Sequence, residues 1–121
     1  MFPSTISITI ATGVTKVLNR VNQDSFNSEY LLRDATSQSV LKIRHSLESK
    51  DSLGNQMARH NVYFEYTEFP TLTTPVVVRS YTMTMRAPAY SDPTVLSDLS
   101  KGVGAWLATS TNYADIASGI N

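Results

Sequence analysis

Over most of the chain, hydrophobic and polar residues alternate one for one. Ile6, Ile8 and Ile10 are interleaved with Thr5, Ser7 and Thr9, and in RHNVYFEY (Arg59 to Tyr66) Val62, Phe64 and Tyr66 are interleaved with Asn61, Tyr63 and Glu65. In VVVRSYTMTMR the residues Tyr81, Met83 and Met85 alternate with Ser80, Thr82, Thr84 and Arg86. Successive side chains of a strand point to opposite faces of its sheet, so a period of two predicts half-buried antiparallel strands. The pattern predicts an N-terminal hairpin turning at Thr12-Gly13, a short strand in EYLLR, a longer one from Val40 to Ser49, then RHNVYFEY, and a last strand ended by Pro88.

The loop SKDSLGN has the Gly/Asn/Asp chemistry of a connection between antiparallel strands. If it joins neighbours about its centre, Leu41 falls opposite Phe64, Ile43 opposite Val62, Arg44 opposite Asn61, Lys42 opposite Tyr63 and His45 opposite His60. A slip of one residue would turn one apolar set to the wrong face, so the agreement of both sets supports this register.

After Pro88 the period changes. Asp92 is placed to cap a helix with Pro93 at its first position, and Val95, Leu96, Leu99, Val103, Trp106 and Leu107 follow at three- and four-residue steps. Gly102 and Gly104 each weaken such a helix by about 1 kcal/mol, which implies dependence on tertiary packing with close backbone approach. A short second helix is expected around Tyr113 to Ala117. The fold class is therefore α+β in one domain: an N-terminal β-hairpin (1–23), an antiparallel sheet of about five strands (28–88) and a helical region (92–119). Five strands span roughly 20–25 Å, whereas a helix is about 10–12 Å across, so one helix cannot cover such a sheet. Unless the hairpin covers the remainder, a second chain must do so. We therefore expect an obligate, intertwined homodimer in which Val95, Leu99, Val103, Trp106 and Leu107 form core or dimer contacts.

Composition narrows the chemistry. Ten Lys plus Arg balance ten Asp plus Glu among the 121 residues, so any basic site must be local. The absence of cysteine excludes disulfide frameworks and thiolate chemistry. The N-terminal MFPSTISITIATG reads as a strand rather than a signal peptide, and no apolar run is long enough to span a membrane. No membrane partner is expected. The outward sets, Lys42, Arg44 and Ser46, then Arg59, Asn61, Tyr63 and Glu65, then Ser80, Thr82, Thr84 and Arg86, form one surface with an excess of cations. Such a face can simply meet water, or it can contact phosphates and stack bases of a single-stranded nucleic acid.

Other constellations carry less. His45 and His60 lack a third ligand, so no metal site is expected and packed or rim histidines are the preferred reading. Asp92 and Asp98 read as a cap and a solvated helix position, no serine sits in a nucleophile elbow, and there is no phosphate loop. Neither a cofactor nor an enzymatic activity is expected. Arg79 falls on the covered side with no local partner in view.

The segments TKVLNRVNQDSFNSEYLL, RHSLES, ARHNVYFEY and VRSYTMTMRAP, in this order and followed by a helix, resemble the coat proteins of small single-stranded RNA bacteriophages (levivirus-type), above all those of Caulobacter phages. The resemblance runs from about Thr15 to Leu107. It implies a virion capsid protein, assembled in the bacterial cytoplasm, whose dimers join two sheets into one layer and build quasi-equivalent icosahedral (T=3) shells. The inner sheet face would meet packaged single-stranded RNA, the N-terminal hairpin would lie outside, and the loop Thr67 to Pro75 would surround the symmetry axes. A maturation protein is a further implied partner. Many family members also repress translation by binding an RNA hairpin in adenine pockets of short hydroxyl side chains and a lysine. The matching positions here are Lys42, Arg44, Asn61 and Tyr63, a departure from that pattern. The competing reading is a dimeric sheet-and-helix module that binds a small molecule or a host protein.

Overall fold

The computed structural model describes residues 2–120. Six strands, β1 (Thr5–Ala11), β2 (Val14–Gln23), β3 (Asn27–Arg33), β4 (Ser37–Leu47), β5 (Met57–Glu68) and β6 (Val77–Pro88), form one antiparallel sheet in sequence order. Two helices follow, α1 (Pro93–Leu107) and α2 (Asn112–Ala117).

The expected register holds. Leu41 lies opposite Phe64, Ile43 opposite Val62, Arg44 opposite Asn61, Lys42 opposite Tyr63 and His45 opposite His60. One expectation is corrected. The hairpin does not stand apart from a sheet of about five strands, because β2 pairs with β3 and makes the sheet six-stranded. The ladder shifts register between Arg20 and Asn22. Such an irregularity bends the strand and increases its twist, and here the first hairpin curls over one face of the strands that follow.

That curl builds the core. Leu18, Tyr30, Leu41 and Ile43 are buried together, with Ile6, Ile8, Leu32, Val62 and Phe64 packed against them. The buried Tyr30 hydroxyl donates to the Pro3 carbonyl at 2.7 Å and so ties down the segment before β1. Lys16 of β2 reaches Asp34 at 3.3 Å and lies 5.9 Å from the Tyr66 ring centre of β5, which places the hairpin across the sheet rather than beside it.

Aspartates order the turns. Asp24 accepts the Phe26 and Asn27 amides, Asp34 those of Thr36 and Ser37, and Asp51 those of Leu53 and Asn55. These amide bonds favour the ionised form, and each carboxyl is held below the ordinary aspartate range. Gly13 (φ 75°) and Gly54 (φ 83°) occupy left-handed positions in the β1–β2 and β4–β5 turns.

The helical region departs from expectation. Asp92 caps α1 as the sequence implies, accepting from the Thr94 amide at 2.9 Å, yet no residue of α1 or α2 is buried. Val95, Leu99, Val103 and Trp106 are 56–63% exposed, and Leu107 is half-buried. They are not core residues of this chain. The hairpin already occupies the sheet face over β3–β5, and α1 runs beside β6, where Leu96, Leu99 and Val103 line an open cleft with Tyr81, Met83 and Met85. The close approach inferred at Gly102 and Gly104 is also absent within the chain, since a Cβ at either would meet nothing within 4 Å.

Candidate nucleic-acid interface

The face opposite the core is ordered in rows across the strands. Ser46, Arg59 and Arg86 make one row; Arg44, Asn61 and Thr84 the next; Lys42, Tyr63 and Thr82 the third; Val40, Glu65 and Ser80 the fourth. Every polar residue assigned to the outward set from its alternation thus lies on one surface. β3 extends two rows, with Asn27 opposite Arg44 and Glu29 opposite Lys42. Both were missed by reading EYLLR as a short strand without an outward set. Continuing its period of two back to Asn27 is the signal that finds them.

Side-chain bonds divide the surface into groups that are engaged and groups that are free. The Asn61 amide donates to Thr82 Oγ1 (3.0 Å), Thr84 Oγ1 (3.1 Å) and the Met83 carbonyl (3.2 Å), which locks its orientation. Tyr63 donates its hydroxyl to Glu65 Oε2 at 2.5 Å. That hydrogen bond, then desolvation and the Glu65 charge, raise the phenol above its usual pKa. Lys42 pairs with Glu29 at 3.4 Å. Arg86 makes a two-pronged contact with Glu48, Nε at 2.7 Å and Nη2 at 3.1 Å, and the Arg86 bond holds the Glu48 carboxyl below the ordinary glutamate range. No local pattern announces this pairing, because 38 residues separate its members.

Arg44 and Arg59 differ. Among the described residues neither forms an ion pair or a side-chain hydrogen bond, and both are exposed. They border a cavity of about 260 Å³ lined also by Asn27, His45, Ser46 and Asn61.

The opposite face carries no comparable polar array. His45 and His60 bring their Nδ1 atoms to 2.9 Å with rings 5.1 Å apart, a contact in which one imidazole donates to the other. Among the described residues no group of three metal-ligating side chains converges. Arg79 finds a diagonal partner across β5–β6, Glu68 Oε1 at 3.0 Å. This pair borders an apolar groove of about 920 Å³ between the hairpin and β5–β6, with Ile8, Phe64, Tyr66 and Tyr81 in its wall. Tyr113 of α2 closes one end, its hydroxyl 3.3 Å from that of Tyr81.

A curled antiparallel layer, polar on one side and apolar on the other, with a C-terminal helix at its free edge, is a fold shared with phage coat proteins. The bacteriophage EMS014 coat protein superposes with a TM-score of 0.71 at 19% identity, covering 91% of this chain and 76% of that one. A subunit of the virus-like particle of bacteriophage AVE019 gives 0.68 at 16% identity, covering 100% and 98%. One from bacteriophage ESE001 gives 0.51 at 16%, covering 86% and 90%. No curated protein sequence matches the chain. The family model described as the coat protein of phage phiCb5 matches residues 3–88, and the chain belongs to that family. It is a coat protein, a structural component of the virion.

Proposed function

We propose that this coat protein forms a homodimer through β6 and α1, assembles into a closed shell, and packages single-stranded RNA against the face formed by β4, β5 and β6. The observation that carries the reading is the separation of the two sheet faces. All four outward rows are polar or charged over most of their length, while the other face holds the core, the apolar groove and the flank of α1.

The dimer follows from what β6 and α1 leave unused. β6 is a twelve-residue edge strand with a row of backbone donors and acceptors on its outer side, and natural proteins seldom leave such an edge unpaired. Pairing it with the same strand of a second copy about a two-fold axis continues the sheet. The exposed stripe Val95, Leu99, Val103 and Trp106 would then cross onto the partner's groove, which is apolar and open. Neither sheet would have to rearrange.

On the polar face, Tyr63 offers an aromatic surface for a base, and unpaired cations of the same face serve the phosphates. The reading is restricted to packaging. Lys42, Arg44, Asn61 and Tyr63 stand where an adenine pocket of short hydroxyl groups would be needed, so repression through a specific hairpin is not part of it.

Electron microscopy and ribonuclease treatment of the purified protein test the proposal together. Closed particles of uniform size with nuclease-protected RNA are expected. Discrete soluble dimers without nucleic acid would overturn it in favour of a dimeric binding module.

A further inference from the structure

The polar face carries four cations on β4–β6, but the structure distinguishes them sharply. Lys42 is paired with Glu29, and Arg86 is held by both oxygens of Glu48. Those two charges are already balanced. Arg44 and Arg59 are not, although Arg44 lies opposite Asn61 and Ser46 opposite Arg59, so the two guanidiniums stand on a cross-strand diagonal. Like charges on neighbouring cross-strand positions disfavour one another, and an anion bound by both relieves that cost.

The recess they border holds one further free donor. Ser46 supplies a hydroxyl with no partner among the described residues, while Asn27, His45 and Asn61 complete the wall, the amide nitrogens of the two asparagines being engaged by Asp24 and by Thr82 and Thr84. The Glu48 charge reaches Arg59 only through space, as its effect on the Glu48 carboxyl shows, and makes no ion pair with it. Guanidinium forks match phosphate oxygens in a way that a lysine ammonium does not.

We infer that the recess between β3, β4 and β5, bordered by Arg44 and Arg59 with Asn27, Ser46 and Asn61, seats one backbone phosphodiester of the packaged RNA. This rests on the RNA-packaging reading and divides the site in two. The phosphate lies at Arg44 and Arg59, the base lies on Tyr63 in the row beyond Asn61, about 7 Å along the strand, and Lys42 serves to hold Glu29 rather than the RNA.

The test measures binding of a short labelled single-stranded RNA to the full-length protein as a function of salt, for Arg44→Ala, Arg59→Ala, the double variant, Arg44→Lys, Lys42→Ala and Tyr63→Ala, with oligomeric state checked by size exclusion. Because both arginines address one phosphate, each single variant should weaken binding but keep the salt slope near that of the unmodified protein, and the double should lower it by about 0.7, one contact on a single strand. Arg44→Lys should keep the slope and weaken binding by several fold, and Lys42→Ala should leave the slope unchanged. Single variants that each lower the slope by about 0.7, with a double that loses about twice as much, would show two independent contacts and overturn the shared seat. A double variant with an unchanged slope, beside a weakened Lys42→Ala or Tyr63→Ala, would overturn the recess while leaving RNA binding intact. Failure of the unmodified protein to bind RNA would overturn the packaging reading itself.

Discussion

The N-terminal and C-terminal parts of this coat protein handle their apolar residues in opposite ways. Between Leu18 and Ile43 lie all four hydrophobic residues buried among the described residues, closed over by a hairpin that the chain supplies itself. From β6 onward none is buried, although Val78, Tyr81, Val95, Leu99, Val103 and Trp106 continue the apolar patterns of their elements. Both parts show equally regular periodicity. What separates them is the covering surface: the first is covered by a hairpin of the same chain, and the second is left open among the described residues. A regular apolar stripe therefore states that a surface will be covered without stating by what.

The difference can be broken from either side. Leu18→Ala should be the most damaging single change, costing about 2–5 kcal/mol as a cavity opens beneath the hairpin. The loss should appear in urea unfolding and be the same at low and high protein concentration. A concentration-dependent loss would mean that the hairpin core, too, is completed by a partner.

Trp106→Ala should act the other way round. An exposed side chain removed from an isolated chain changes stability by roughly 0.5 kcal/mol or less, whereas an aromatic anchor in an interface contributes on the order of 2 kcal/mol or more. Sedimentation at graded concentrations should therefore show a dimer dissociating roughly thirty-fold or more readily, with the strands retaining their amide protection. Dimers of unaltered strength would remove α1 from the interface.

Acid should have the smallest effect, concentrated in the closed part. Asp24, Asp34 and Asp51 have folded-state pKa values below the ordinary aspartate value of 3.8. A depressed carboxyl contributes stability that is complete above its unfolded pKa and is lost as pH falls through its folded one. Stability should hold down to about pH 4 and decline below it, and Asp34→Asn should flatten part of that decline. A decline equally steep in Asp34→Asn would show that the turn amides do not need the charge. The side chain is exposed, so solvent screening keeps the effect modest.

Much of the candidate site was legible before any coordinates. The eleven outward residues from Lys42 to Arg86 share one face, and the β4–β5 pairing follows from matching two alternating patterns across a loop of fitting chemistry. What escaped was long-range: the Glu48–Arg86 and Lys42–Glu29 pairs, the contribution of Asn27, and the Glu68 partner of Arg79. These depend on which strands become neighbours and on diagonal reach across them.

The sequence alone determined which side chains share a face and where strands yield to helix, because a period of two or of three to four is a local property of the backbone. Only the tertiary structure decided which face the chain covers for itself. That depended on the curl of β1–β2 at the register shift between Arg20 and Asn22, which brings Ile8 and Leu18 onto Leu41 and Phe64 and leaves α1 beside the free edge of β6. Curvature of a sheet sums small twists over many residues, and no short pattern encodes that sum.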